Sequence, residues 1–288
     1  MARKGSKRGT VTEWQDWSLM SNTTHKTTDV KVVLCDLDGV VWLAHQPIPG
    51  SVDAIARLRG AGIRVLFVTN NSFSTVAQQE KFLGDIGIPA EGDVLTSAMS
   101  AGSQVAAGEN VMVVGGAGLI EEVSRVGAHV VPALDVEPHM EFDAVVVGLH
   151  HQFTYQVLAD AQRAVVRGAR LIGSNSDPTY PTPDGPTPGG GSILAAIATA
   201  SGVAPLITGK PHLPMAHLVQ HICGDVLPSE MIMVGDRPST DGAFARTIGC
   251  RFAQVSSGVS DDTGWTGGLV DDLLCANLAA VADAVVGA

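Results

Sequence analysis

"VVLCDLDGVVW", residues 32–42, sets Asp36 and Asp38 two positions apart at the end of an apolar, β-branched run. Such a run closed by Asp-Gly reads as a buried strand leaving its sheet at a tight turn. Asp38-Gly39 is by itself a hairpin signal, but a hairpin accounts for Gly39 better than for Asp36. An EF-hand loop does not account for the pair either. Counted from Asp36, Gly39 falls at the fourth loop position instead of the sixth, and Val40 stands where a further oxygen ligand is needed.

Runs of the same kind recur outward from this stretch: "VLFV" at 65–68, "VMVV" at 111–114, "AVVV" at 144–147 and "MIMV" at 231–234. Helical patterns lie between them. Ser51 is positioned to cap a helix carrying Val52, Ile55, Ala56 and Arg59, with Gly60 as its stop signal, and Phe153, Val157, Ala161 and Ala164 mark another over about 153–167. Strands alternating with helices predict an α/β fold, a Rossmann-like core around a largely parallel sheet. In such folds ligands collect beyond the carboxyl ends of the strands.

The residues at those ends form a consistent set. "VLFV" is followed by Thr69-Asn70-Asn71-Ser72, "LIT" at 206–208 by Gly209-Lys210-Pro211, and "MIMV" by Gly235-Asp236, with Asp241 five residues on. Each tip has an ordinary explanation: an Asx turn, an exposed loop lysine, an acidic first helical turn. Convergence of all four would gather carboxylates, neutral hydrogen-bonding groups and one ammonium. That inventory suits phosphoryl transfer, which depends on positioning and charge neutralisation.

Composition narrows the alternatives. With 18 basic and 29 acidic residues the formal charge is −11, which repels nucleic acid and anionic membrane surfaces. Aliphatic stretches such as "ILAAIATA" at 193–200 fall short of the roughly 18 residues of a membrane span. "MARKGSKRGT" has no apolar run behind it and does not read as a secretory signal. Residues 1–28, with Arg3, Lys4, Lys7, Arg8 and Lys26 against Glu13 and Asp16, read as a polar extension. Cys35, Cys223, Cys250 and Cys275 lack CxxC spacing and so large a chain should not need disulfides, so a reducing cytoplasm is the expected location.

Too many residues separate Asn71 from Lys210 for a loop. They predict an inserted domain over 103–206, with strands near 111, 144 and 171, between core segments 29–102 and 207–288. Within it "VVGGAGLIEE" begins like a dinucleotide loop, but Glu121 stands where the third glycine belongs. His150 and His151 have no carboxylate or cysteine at ligand spacing and read as surface residues. The segment from 177 to 191, rich in proline and ending in three glycines, reads as a stiff linker or as a wall of the site.

In this order "DLDGVVW", "VTNNS", "ITGKP" and "MVGDRPSTDGAFA" resemble the four motifs of the haloacid dehalogenase superfamily of phosphatases. "SNSDPTYPTPDGPTPGGGSILAA" at 174–196 resembles a segment of the large α/β cap that one of its groups inserts between the second and third motifs. The resemblance runs from about residue 30 to the end. It implies Asp36 as nucleophile, Asp38 as acid and then base, and Thr69 and Asn70 as hydrogen-bond donors to phosphoryl oxygens. Lys210 would offset charge on the phosphate and on Asp36. Mg²⁺ would be held by the Asp36 carboxylate, the Asp38 carbonyl and Asp236, with Asp241 ordering its ligands. Asn175, Asp177 and Tyr180 would select the leaving group. The implied substrate is a small phosphorylated metabolite of the glycerol 3-phosphate, phosphoglycolate, nucleotide or sugar phosphate kind, and a homo-oligomer is compatible with it. Tyr180 stands where relatives that accept pyridoxal phosphate have histidine, which argues against that ester. Other readings are a phosphomutase on the same fold, a dehalogenase, which Asp38 disfavours, and a non-catalytic phospho-acceptor or binding protein.

Overall fold

Val32–Cys35 forms β1 and is buried along its whole length, with alternate residues serving different cores. Val33 and Cys35 face one apolar cluster, Val32 and Leu34 the other, so the sheet is covered on both sides. The structure, a computed structural model, describes residues 30–182, 185–258 and 272–287, and the extension expected at 1–28 lies outside them.

After β1 come a short ribbon, β2 (Trp42–Leu43) and β3 (Gln46–Pro47), then α1 (Ser51–Gly60), β4 (Arg64–Thr69), α2 (Val76–Asp85), β5 (Val94–Thr96) and α3 (Ser97–Gly102). The chain then builds β6 (Asn110–Val114), α4 (Ala117–Arg125), β7 (His129–Pro132), β8 (Ala144–Val147), α5 (Tyr155–Val166) and β9 (Arg170–Gly173). A second ribbon, β10 (Thr179–Thr182) and β11 (Gly185–Pro188), leads into α6 (Gly190–Ser201) and β12 (Leu206–Ile207). It closes with α7 (Leu213–Cys223), β13 (Met231–Gly235), α8 (Ala243–Ile248), β14 (Arg251–Val255), β15 (Leu273–Cys275) and α9 (Leu278–Val286).

Two parallel sheets result. The first has six strands in the order β15-β14-β13-β1-β4-β5, the second five in the order β12-β9-β8-β6-β7. In the first, chain order reverses between β1 and β13, and Asp36 and Asp236 follow those two strands. That crevice is the ligand position of an open α/β sheet.

Several expectations shift in detail. Ser51 does not cap α1: Gly50 occupies the cap, and the Ser51 hydroxyl donates to Val41 O at 2.8 Å, tying the helix to the loop after β1. α5 is capped by Thr154, whose hydroxyl accepts from Val157 N. "LIT" supplies β12, which pairs with β9 of the second sheet, not with the strands of the first. The proline-rich segment is an antiparallel ribbon pairing Tyr180 with Thr187. Ala98 and Ala101 of α3 join the apolar cluster behind the second sheet while Met99 packs on the first, so α3 mortars the two together. Among the described residues no helix is long and apolar enough to cross a membrane.

Candidate active site

The first sheet ends in a crowded set of charges. Asp36 leaves β1 with its N–H donating to Val234 O at 2.9 Å, which locks the turn to β13. Lys210 Nζ donates to Asp36 Oδ1 at 2.8 Å and to Asp241 Oδ1 at 2.7 Å. Oxygens of Asp36, Asp236 and Asp241 all lie within 4.8 Å of one another. Asp241 sits in a π-helical turn, Pro238–Gly242, and its other oxygen accepts from Arg237 N at 3.3 Å. Gly39 has φ 86°, and a Cβ there would overlap the Asp236 carboxylate; one at Gly258 would do the same. A ribbon does follow, but it turns on Ala44 and His45 and not on Asp38-Gly39, where Gly39 keeps space beside Asp236.

Burial and charge together set the protonation of this cluster. Lys210 is 2% exposed; burial disfavours its ammonium, yet Asp241 and Asp36 outweigh burial and hold its pKa above the usual lysine range. Burial raises Asp241. Burial, then the Asp36 charge, push Asp38 up to about 6, against the pull of Trp42 and Arg237. The oxygens of Asp36, Asp236 and Asp241 form an anionic, all-oxygen donor set, which fits a hard divalent cation such as Mg²⁺ or Ca²⁺.

Thr69, 3% exposed at the end of β4, accepts from Asn71 N at 3.0 Å and keeps its hydroxyl hydrogen for another partner. Asn70 differs from expectation. Its Oδ1 accepts from Lys210 N at 2.8 Å, and its amide donates to Lys210 O at 3.1 Å and to Asp177 Oδ2 at 3.0 Å. Both amide hydrogens are engaged, so its side chain holds Lys210 in place and has none left for a phosphoryl oxygen. Asn175 donates to Asn70 O at 2.8 Å and accepts from Asp177 N at 3.1 Å. Burial raises the Asp177 carboxyl. Asn175 and Asp177 therefore line the cavity but direct their side chains to the core loop. Burial, then the Asp38 charge, raise the Tyr180 phenol, and Asn71 lowers it in part.

These residues enclose a cavity of about 90 Å³, also lined by Phe73, Leu149, Thr179, Gly190, Arg237 and Thr240. Arg237 was missed from sequence, although its place beside Asp236 in "GDRPSTD" marks it as a cation facing the site. Cys35 is fully buried in the core, as its strand position predicts.

The second sheet meets the first at its own reversal point, between β6 and β8. There the glycines of the would-be dinucleotide loop receive a segment of the core. Gly118 N donates to Phe73 O at 2.9 Å, and Cβ atoms at Gly116 and Gly118 would overlap Phe73 and Ser74. Ser72 Oγ meets Ser174 Oγ at 2.9 Å, under Gly148, while His151 stands edge-on to Phe73 at 4.7 Å.

Comparison with known proteins agrees with this geometry. The haloacid dehalogenase-like hydrolase profile matches residues 33–129, and the HAD-hydrolase-like profile residues 207–280. The acid sugar phosphatase of Staphylococcus aureus is 34% identical over 234 residues, covering 80% of this chain and 88% of that protein. The chain belongs to the haloacid dehalogenase-like hydrolase family. The D-glycerol 3-phosphate phosphatase of Mycobacterium tuberculosis is 38% identical over 233 residues, 79% of this chain; the match spans 63% of that longer protein. The crystal structure of the mycobacterial glycerol phosphate phosphatase in complex with magnesium superimposes with a TM-score of 0.72 at 36% identity, over 81% of this chain and 70% of that one.

Proposed function

We propose that the chain is a Mg²⁺-dependent phosphatase of small phosphate monoesters that passes the phosphoryl group through Asp36. The observation that carries this reading is Lys210 Nζ held between Asp36 and Asp241 at 2.8 and 2.7 Å, with Asp236 in the same cluster. Asp36, Asp236 and Asp241 would hold the ion, with the Asp38 carbonyl as a further oxygen. When bound, it supplies the positive charge that lets an anionic ester lie against a carboxylate.

The chain's own groups do the rest. An Asp36 oxygen attacks phosphorus as the ester P–O bond breaks, giving an aspartyl-phosphate. Asp38 gives its proton to the departing alkoxide, then takes one from the water whose oxygen attacks phosphorus as the P–O bond to Asp36 breaks, freeing phosphate and restoring the Asp36 carboxylate. Thr69 donates to a phosphoryl oxygen, and Lys210 offsets charge on Asp36 and on the phosphate. The cavity of about 90 Å³ suits a short leaving group, contacted by Tyr180 and Arg237, with Asn175 and Asp177 keeping their loop over the site. Glycerol 3-phosphate and sugar phosphates are the favoured esters, in keeping with the named activities of the mycobacterial and staphylococcal relatives.

The test is a panel of phosphate esters assayed with and without EDTA, repeated with Asp36→Asn. Hydrolysis is expected to vanish in EDTA, to return with Mg²⁺, and to be absent in the variant. Full activity in EDTA, or from Asp36→Asn, overturns the reading.

A further inference from the structure

Trp42 is 1% exposed, yet it belongs to a two-stranded ribbon at the rim and not to the main sheet. A buried indole N–H needs an acceptor. Here the acceptor is Asp38 Oδ1, at 3.2 Å. The backbone joins the same two residues: Asp38 and Trp42 form an isolated bridge, Gly39 N donates to Trp42 O at 2.8 Å, and Trp42 N donates to Leu37 O at 3.2 Å.

Beyond Trp42 the ribbon turns on Ala44 and His45, with φ 48° and 62°. A two-residue turn with both φ positive is usually Asn-Gly or Asp-Gly, because Cβ crowds the following carbonyl there. This strained turn places the His45 ring edge-on to Trp42 at 5.1 Å and against Phe82 at 4.3 Å. Strain that persists marks a conformation the surroundings enforce.

We propose that Trp42 is a positioning residue for Asp38, held by the strained turn at Ala44-His45. The inference rests on Asp38 acting as the acid of the proposed reaction. By engaging Oδ1, the indole N–H leaves Oδ2 to carry the proton. When that O–H bond breaks and the proton joins the leaving alkoxide, Asp38 becomes a carboxylate. Its Oδ1 then accepts a charge-assisted hydrogen bond from Trp42, stronger than the one to the neutral acid. An interaction that strengthens toward the transition state raises the rate without tightening substrate binding.

Trp42→Phe keeps the packing and removes the N–H. The readout is kcat/KM, which covers the steps through ester cleavage, for glycerol 3-phosphate and for p-nitrophenyl phosphate, whose leaving group needs little protonation. We expect a fall of about 10- to 100-fold on the alkyl ester and less than about 3-fold on the aryl ester, with KM nearly unchanged, in line with loss of general-acid efficiency. Equal falls on both esters, or none on either, overturn the proposal. Asp38→Asn is the reference: if it keeps the alkyl-ester rate, the acid assignment itself fails; if it loses that rate while Trp42→Phe does not, only the positioning role fails. His45→Gly covers the case in which Trp42→Phe does not fold, because it relieves the positive φ while removing the ring. Its melting temperature should hold or rise while alkyl-ester kcat/KM falls about 3- to 10-fold and the aryl ester is spared, as for a misplaced acid. An unchanged alkyl-ester rate in His45→Gly also overturns the proposal.

Discussion

Lys210 is the residue on which the site's electrostatics turn. Removing its ammonium while keeping its bulk, as in Lys210→Met, leaves Asp36 and Asp241 facing each other in a buried space. Breaking such a pair costs about 3–5 kcal/mol. The variant should melt lower, lose at least about 100-fold in kcat through the missing charge stabilisation, and regain more melting temperature from added Mg²⁺ than the parent does; thermal melts with and without the ion check this. Glu122 on α4 is an opposite case. Burial raises its carboxyl, and Arg125 at 3.3 Å offsets only part of this. A folded pKa above the unfolded one means that the charged form is penalised on folding. The penalty is absent below the unfolded pKa and complete above the folded one. Glu122→Gln should therefore stabilise the protein at pH 7.5, with the gain shrinking at pH 4, as measured by urea unfolding at both values. Asp36, Thr69, Lys210 and Asp236 were legible in the sequence because each follows an apolar run, and Asp241 because it lies five residues beyond the last of them. The work of Asn70 was not, since its partners Lys210 and Asp177 lie more than a hundred residues away and no local pattern encodes that choice.

At the scale of elements, periodicity located the buried strands but not always their sheets. β12 is two residues long, and nothing in "LIT" distinguishes pairing with β9 from pairing in the first sheet. The proline-rich β10–β11 ribbon was also hidden, because proline lowers strand propensity and is tolerated only where its missing N–H faces no ladder. The glycines at 115–118 fall short of a dinucleotide loop in the sequence, and what they do appears only in three dimensions, where they admit Ser72–Ser74. Gly118→Ala should press its new methyl on the Ser74 carbonyl and destabilise the protein by about 1–3 kcal/mol, the range for overpacking. Denaturant titration checks it, and Gly84→Ala, at a helical glycine with nothing within 4 Å, shows what the same change does without the clash.

For the whole molecule, loops at the carboxyl ends of the two parallel sheets meet, Phe73 against Gly118 and Asn70 against Asn175, and each sheet has its reversal point at that end. The first uses that crevice for the acidic cluster, the second for a piece of the first. Binding of an ion to the folded state alone raises stability by mass action, about 2.7 kcal/mol at a hundredfold excess over Kd. Mg²⁺ should accordingly raise the melting temperature of the parent, and Asp236→Asn should blunt that response; differential scanning fluorimetry in EDTA and in Mg²⁺ gives both. An equal ion response in parent and variant would place the ion elsewhere.

The clasp of Gly116, Gly118 and Ser174 on Ser72–Ser74 bears on how such proteins diversify. A chimaera that replaces residues 103–206 with a foreign insert inherits the aspartate cluster intact, but it also inherits a Phe73 shaped for this particular socket. Recombination here succeeds only when the donor brings matching glycines, so the insert and its docking socket travel together as one heritable unit.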